Sequence, residues 1–292
     1  MIENSVTFIS DKVSAALQTI VSVLKVLVRS KFGLKLPEAT TPKCYILGNG
    51  PSLKQSIEKR HAELVDSSVS LFVVNSFAVS PLFVELKPKY YVFLDPYFAS
   101  YNGVSTPIDA VKKTYEHLLN DVSWEMTLFL PARASKNLFL QQLVKQNPNI
   151  KISFYNYVVF DGLNEVKFQF FKRNLAMPQC QNILGACIFI ATNMQFKEVF
   201  LLGADHSWHE QIALDENNNL VTIDKHFYNQ QGKSIVMNTH ANNTAEYGVH
   251  SFFASLAKAF FSYKVLAKYA KYRGVKVKNW SEKSYIDAFE RI

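Results

Sequence analysis

The strongest constraint on the fold is a repeated pattern of short apolar runs closed by small or polar residues. Cys44-Tyr45-Ile46-Leu47 ends at Gly48-Asn49-Gly50-Pro51-Ser52, and Ser70-Leu71-Phe72-Val73-Val74 ends at Asn75. Residues 90–94 end at Asp95-Pro96, 126–130 at Pro131, and 199–202 at Gly203-Ala204-Asp205. Residues 151–155 and 275–277 read as two further strands. Strands that are apolar at successive positions are covered on both faces, as in a parallel sheet. Between them lie helix-compatible stretches at 53–65, 108–119, 134–146, 183–195 and 254–272. Strand–helix alternation gives an α/β chain with a Rossmann-like, doubly wound, mostly parallel sheet. In such sheets ligands sit at the carboxyl ends of the strands, where these runs turn small and polar.

Residues 5–32 carry apolar side chains at three- and four-residue spacing, among them Val13, Leu17, Ile20, Leu24 and Val28. Lys12, Lys25, Arg29, Lys31 and Lys35 supply charge, with no acid between Asp11 and Glu38. A basic amphipathic helix suits an anionic membrane interface, and equally a helix packed on the domain or on a second subunit as in a homo-oligomer. Both readings stay open. Two prolines in residues 36–42 mark a linker. The expected division is 1–42 for helix and linker and 43–292 for the main domain, with a lid around 206–250.

Charge raises the question of nucleic acid. Lys plus Arg number 32 against 24 acids, and 14% of the 292 residues are aromatic. The excess concentrates in the N-terminal helix and in the lysines of 258–283, where aromatics recur at helical spacing and read as core. An anionic membrane or glycan is the favoured partner, and nucleic acid is not. Cys44, Cys180 and Cys187 form no Cys-x-x-Cys pair and read as buried thiols of a reducing compartment. Glu3 and Asp11 stand where a secretory signal would begin positive. The expected location is cytoplasmic, peripheral on the inner membrane if the helix binds lipid.

Four motifs bear on chemistry. The turn Gly48-Asn49-Gly50-Pro51-Ser52 follows a strand and precedes a helix, so free N–H groups and the helix dipole would attract phosphate, with Ser52 as cap. It lacks the lysine of a P-loop. Asn182-Ile183-Leu184-Gly185 opens an apolar helix that leads to Asp205, a candidate partner for a sugar hydroxyl. His250, three residues after Tyr247, carries an imidazole, the side-chain type suited to take a proton from a hydroxyl nucleophile. His206 and His209 are not in a metal-binding frame, and no Asp-x-Asp pair exists to anchor a divalent ion; metal-free chemistry is expected.

In order and spacing over about 43–280, these elements resemble the bacterial sialyltransferases of glycosyltransferase family 42. The resemblance rests on Gly48 to Lys54, Asn75, the strand end at Asp95-Pro96, Lys197 to Asp205, and Tyr247-Gly248-Val249-His250-Ser251. It implies a GT-A-like Rossmann domain with a small lid. It implies a CMP-activated acidic sugar as donor, a cell-surface glycan as acceptor, and inversion by direct displacement without a cofactor. Asn49 and Asn75 would then contact nucleotide and phosphate, Gly185 and Asp205 would line the cytidine side, and Tyr247 would hydrogen-bond the leaving phosphate. Asp95 stands where the family has asparagine. Domains resembling archaeal 6-hydroxymethylpterin diphosphokinase, also found in flagellin-glycosylation factors, share the Gly-x-Gly-Pro-Ser opening and are the alternative enzyme reading. A membrane-bound scaffold of a polysaccharide assembly complex is the non-enzyme one.

Overall fold

The computed structural model describes residues 2–216, 220–226, 229–236 and 248–292. In chain order the elements are α1 (Ile2–Arg29), β1 (Lys43–Leu47), α2 (Leu53–Leu64), β2 (Val69–Val74), α3 (Leu82–Leu86), β3 (Tyr90–Val92) and α4 (Pro96–Ser100). Then come α5 (Asp109–Asn120), β4 (Met126–Pro131), α6 (Leu138–Gln146), β5 (Ile150–Tyr155), α7 (Asn164–Lys172), α8 (Ile183–Asn193) and β6 (Glu198–Leu202). The rest is β7 (Ile212–Leu214), β8 (Leu220–His226), β9 (Asn229–Val236), α9 (Val249–Arg273), β10 (Lys276–Asn279) and β11 (Glu290–Arg291).

Eight strands form one sheet in the order β11-β10-β6-β1-β2-β3-β4-β5, and every pairing in it is parallel. The all-apolar strands follow from this. Cys44 and Ile46 of β1, Phe72 and Val74 of β2, and Val199 and Leu201 of β6 enter one core. Their neighbours Tyr45, Leu47, Leu71, Val73, Phe200 and Leu202 enter the other. The first core is roofed by α1, α7, α8 and α9, the second by α2, α3, α5 and α6. Every residue of α8 from Ile183 to Thr192 is buried, which explains a helix apolar all round.

Going along the chain, β1 to β5 build outward in one direction, and β6 returns to the other side of β1. The switch point of the doubly wound sheet therefore lies between β1 and β6. Gly48 and Gly203 leave their strands side by side there. A Cβ on Gly48 would stand 2.6 Å from the Gly203 carbonyl oxygen, and one on Gly203, whose φ is +63°, would stand 2.6 Å from that of Gly48. The two turns are packed backbone to backbone, and only glycine permits it.

Several boundaries differ from the sequence reading. The third strand stops at Val92 because Asp95 already caps α4, its Oδ1 accepting the Tyr97 N–H at 2.8 Å. A 3-10 turn over Ala132–Lys136 precedes α6, and α9 begins five residues earlier than its apolar periodicity. The stretch expected to form a lid holds a separate antiparallel sheet, β7-β8-β9.

Candidate functional site: a cavity at the switch point

A cavity of about 480 Å³ opens at the carboxyl ends of β1, β2 and β6, within the size range of small-molecule sites. Asn49, Gly50, Pro51, Asn75, Asp95, Asn182 and Asp205 all line it. Six of these stand at strand ends in the sequence and Asn182 at a helix start, and the fold brings them together. Gly48, Ser52 and Gly185 lie behind the wall. Gly185 packs on Cys180, whose Sγ would be 2.8 Å from an added Cβ.

The glycine turn differs from the expected phosphate cradle. Ser52 has a helical backbone and makes no side-chain cap. Its N–H and its hydroxyl both donate to the Asp205 carboxylate, at 3.1 and 2.8 Å. The Gly48 N–H donates to the Leu202 carbonyl, the Gly50 N–H to that of Gly203, and the Leu53 N–H to that of Gly50. These donors are spent inside the protein, on the turn's neighbours and on a buried carboxylate that already fills the anion position. Asp205 is 4% exposed, and burial raises its pKa against the lowering effect of the Ser52 hydrogen bonds. The N-terminus of α8 is closed in the same way: Asn182 Oδ1 accepts from Leu184 and Gly185.

Four residues of the cavity wall carry a side-chain amide with an unpartnered atom. Asn49 Oδ1, Asn75 Oδ1, Asn182 Nδ2 and Gln211 Oε1 are buried without a partner in the protein, and all four residues line the cavity. Each such atom costs about 1–3 kcal/mol unless a ligand satisfies it. They are three acceptors and one donor, the complement of hydroxyl, amino and carbonyl groups. Asn75 is held in the left-handed region at φ +48°, where asparagine is tolerated. Its turn is pinned by Tyr91, whose hydroxyl donates to the Asn75 carbonyl at 2.5 Å.

His206 was considered in the sequence only as a metal ligand. It is 6% exposed, lines the cavity and sits at φ +54°. The Tyr263 hydroxyl donates to Asn182 Oδ1 at 2.8 Å, so it accepts from His206 Nε2–H at 2.5 Å. The imidazole is thus neutral with its proton on Nε2, and burial pushes its pKa down to about 3. Trp208 covers it at 4.4 Å between ring centroids. His209 turns elsewhere, against the Tyr285 ring.

Arg133 is the only Lys or Arg among the described residues lining the cavity. It follows β4, and its Nη2 donates to the Leu94 carbonyl at 2.9 Å. In the sequence that strand end is marked by Pro131 alone. Position after a strand was the available signal. Gln211, Tyr157 and Trp208 had none.

His250 does not line the cavity. It is exposed in the first turn of α9, thirteen residues before Tyr263, or about 20 Å of helix rise. Tyr247 lies outside the described residues.

No family model matches the chain, and no curated protein does. Among solved structures, the chain resembles the MAf glycosyltransferase from Magnetospirillum magneticum AMB-1, with 12% identity and a TM-score of 0.49. The likeness covers 94% of this chain and 37% of that one. No residue role is taken from it.

Proposed function

We propose that the chain is a glycosyltransferase that holds a nucleotide-activated acidic sugar, a CMP-sugar, in the switch-point cavity and transfers the sugar to a glycan hydroxyl. The observation that carries this reading is that four residues with unpartnered side-chain amide atoms share with Arg133 the wall of one cavity at the carboxyl ends of a doubly wound sheet. The acceptors of Asn49, Asn75 and Gln211 suit ribose hydroxyls and an exocyclic amine. Arg133 suits the phosphate, since the N–H groups of Gly48, Gly50 and Ser52 in the glycine turn are already bonded within the protein.

In this reading the acceptor oxygen forms a bond to the anomeric carbon as the bond from that carbon to the phosphate oxygen breaks. The nucleotide leaves with the electron pair, and the acceptor proton goes to a base. His206 is unsuited to be that base: with a pKa near 3 it binds a proton weakly, and its Nε2 already carries one. The role is assigned to His250, and that of donor to the leaving phosphate to Tyr247, on the resemblance to glycosyltransferase family 42.

The test is a thermal-shift panel of CMP, UDP, GDP, ATP and their sugars. A true ligand stabilises by about 2.7 kcal/mol at a hundredfold excess over its Kd. Selective response to cytidine nucleotides is the expected result. Response to none of them overturns the reading, and response to ATP with Mg²⁺ alone replaces it by the diphosphokinase alternative.

A further inference from the structure

The helix α1 meets the domain through the side opposite to its apolar stripe. Thr19, Ser22 and Val26 are buried. Ser22 Oγ donates to the Asp161 carbonyl at 3.0 Å, Thr19 Oγ1 accepts the Leu163 N–H at 2.9 Å, and Ser30 Oγ donates to the Leu175 carbonyl at 2.6 Å. Hydroxyls therefore face the protein. Val13, Leu17, Ile20, Leu24, Leu27 and Val28 are between 55% and 83% exposed. At 3.6 residues per turn these six fall within an arc of about 100°, centred roughly opposite Thr19, Ser22 and Val26. This is the reverse of an ordinary surface helix, which turns its apolar arc inward.

Charge decides what covers the arc. Between residues 10 and 35 the chain carries Lys12, Lys25, Arg29, Lys31 and Lys35 against Asp11 alone. On the same side of the sheet α7 links α1 to α9: Leu163, just before α7, bonds Thr19, and Gln169 Nε2 bonds the Tyr272 hydroxyl at 2.8 Å. There α9 exposes Lys264, Lys268 and Lys271. A second copy laid on this arc would bring two basic helices together. An anionic bilayer takes the same apolar arc and neutralises its flanks. Among the described residues no helix is long and apolar enough to cross a membrane, so the geometry is one of lying flat.

We propose that α1 is an in-plane membrane anchor that seats its exposed apolar arc in the interface of an anionic bilayer. The inference does not depend on the reaction the cavity performs. The test is flotation of the full chain with vesicles of phosphatidylcholine alone and with phosphatidylglycerol added. The wild-type chain should float with the anionic vesicles and at least tenfold less with the neutral ones. The double variant Leu17→Asp/Leu24→Asp should lose at least tenfold in binding with an unchanged melting temperature, since both side chains are exposed. Lys25→Glu/Arg29→Glu should weaken binding to anionic vesicles only. A wild-type chain that stays with the soluble fraction at both compositions overturns the proposal. So does a dimer in light scattering that Leu17→Asp/Leu24→Asp splits while vesicles bind both forms equally.

Discussion

The Asp205 carboxylate accepts both the backbone N–H and the hydroxyl of Ser52, a residue 153 positions earlier in the chain. This pairing ties the turn after β1 to the turn after β6. Gly50 makes room for it, since a Cβ there would stand 2.1 Å from Asp205 Oδ2. Asp205→Ala should cost about 1–3 kcal/mol in urea unfolding, because it leaves the half-buried Ser52 donors without their acceptor. Gly50→Ala should cost a similar amount by forcing the carboxylate away. Ser52→Ala, which keeps the backbone bond, should cost less than either. Equal stability of all three with the wild type would show that the pairing contributes nothing.

His206 makes the fold acid-sensitive. Its pKa is near 3 in the folded state against an ordinary 6.5, so the unfolded chain binds the extra proton first. The stability this burial confers is present above pH 6.5 and is lost as the pH falls below it. Between pH 7 and pH 5 the loss is about 2 kcal/mol at about 1.36 kcal/mol per proton and pH unit. Asp205 has the opposite sign: its raised pKa favours the folded state as pH falls. The ordinary pKa of the histidine, 6.5, lies inside this window, and that of the aspartate, 3.8, lies below it. Unfolding curves of His206→Gln should therefore lose about 2 kcal/mol less than wild type between pH 7 and 5, and parallel losses would refute the assignment.

In the proposed function Arg133, on the cavity wall, binds the phosphate of the nucleotide. Arg133→Ala should weaken nucleotide binding at least tenfold by calorimetry, about 1.4 kcal/mol, while changing folding stability by less than about 1 kcal/mol. Arg133→Lys should recover part of the loss, because the charge returns without the planar fork. Unaltered affinity in Arg133→Ala would place the phosphate elsewhere.

The roles given to the two histidines separate by kinetics. His250→Ala should abolish sugar transfer and leave both the melting temperature and nucleotide affinity near wild type, since the side chain is exposed and off the cavity wall. Retained transfer would remove His250 as the base.

The sheet was legible because its strands are apolar at consecutive positions, and burial on both faces leaves no other option. Asn49, Asn75, Asp95 and Asp205 were legible as pocket residues because a parallel sheet puts every strand end on the same edge. What their side chains do was not. That Asp205 fills the anion position of the glycine turn depends on two turns meeting across 153 residues, and no local spacing encodes that meeting. The network of His206, Tyr263 and Asn182 is equally non-local, joining a turn, the middle of α9 and the cap of α8. Short elements such as α4 and the polar sheet β7-β8-β9 lack the apolar period by which longer elements announce themselves.

The crossing from β1 to β6 also sets a clock for synthesis. Ser52 leaves the ribosome 153 residues ahead of the carboxylate that completes its turn. At bacterial-to-eukaryotic elongation rates that interval is roughly 8–30 s. During it β2 to β5 are added in turn to β1, but the strand that flanks β1 on its other side is still missing. Under the proposed function, a ribosome-stalled chain ending before residue 198 should therefore capture no nucleotide, and binding should await the cavity residues 205–211 and Tyr263 of α9 that holds His206.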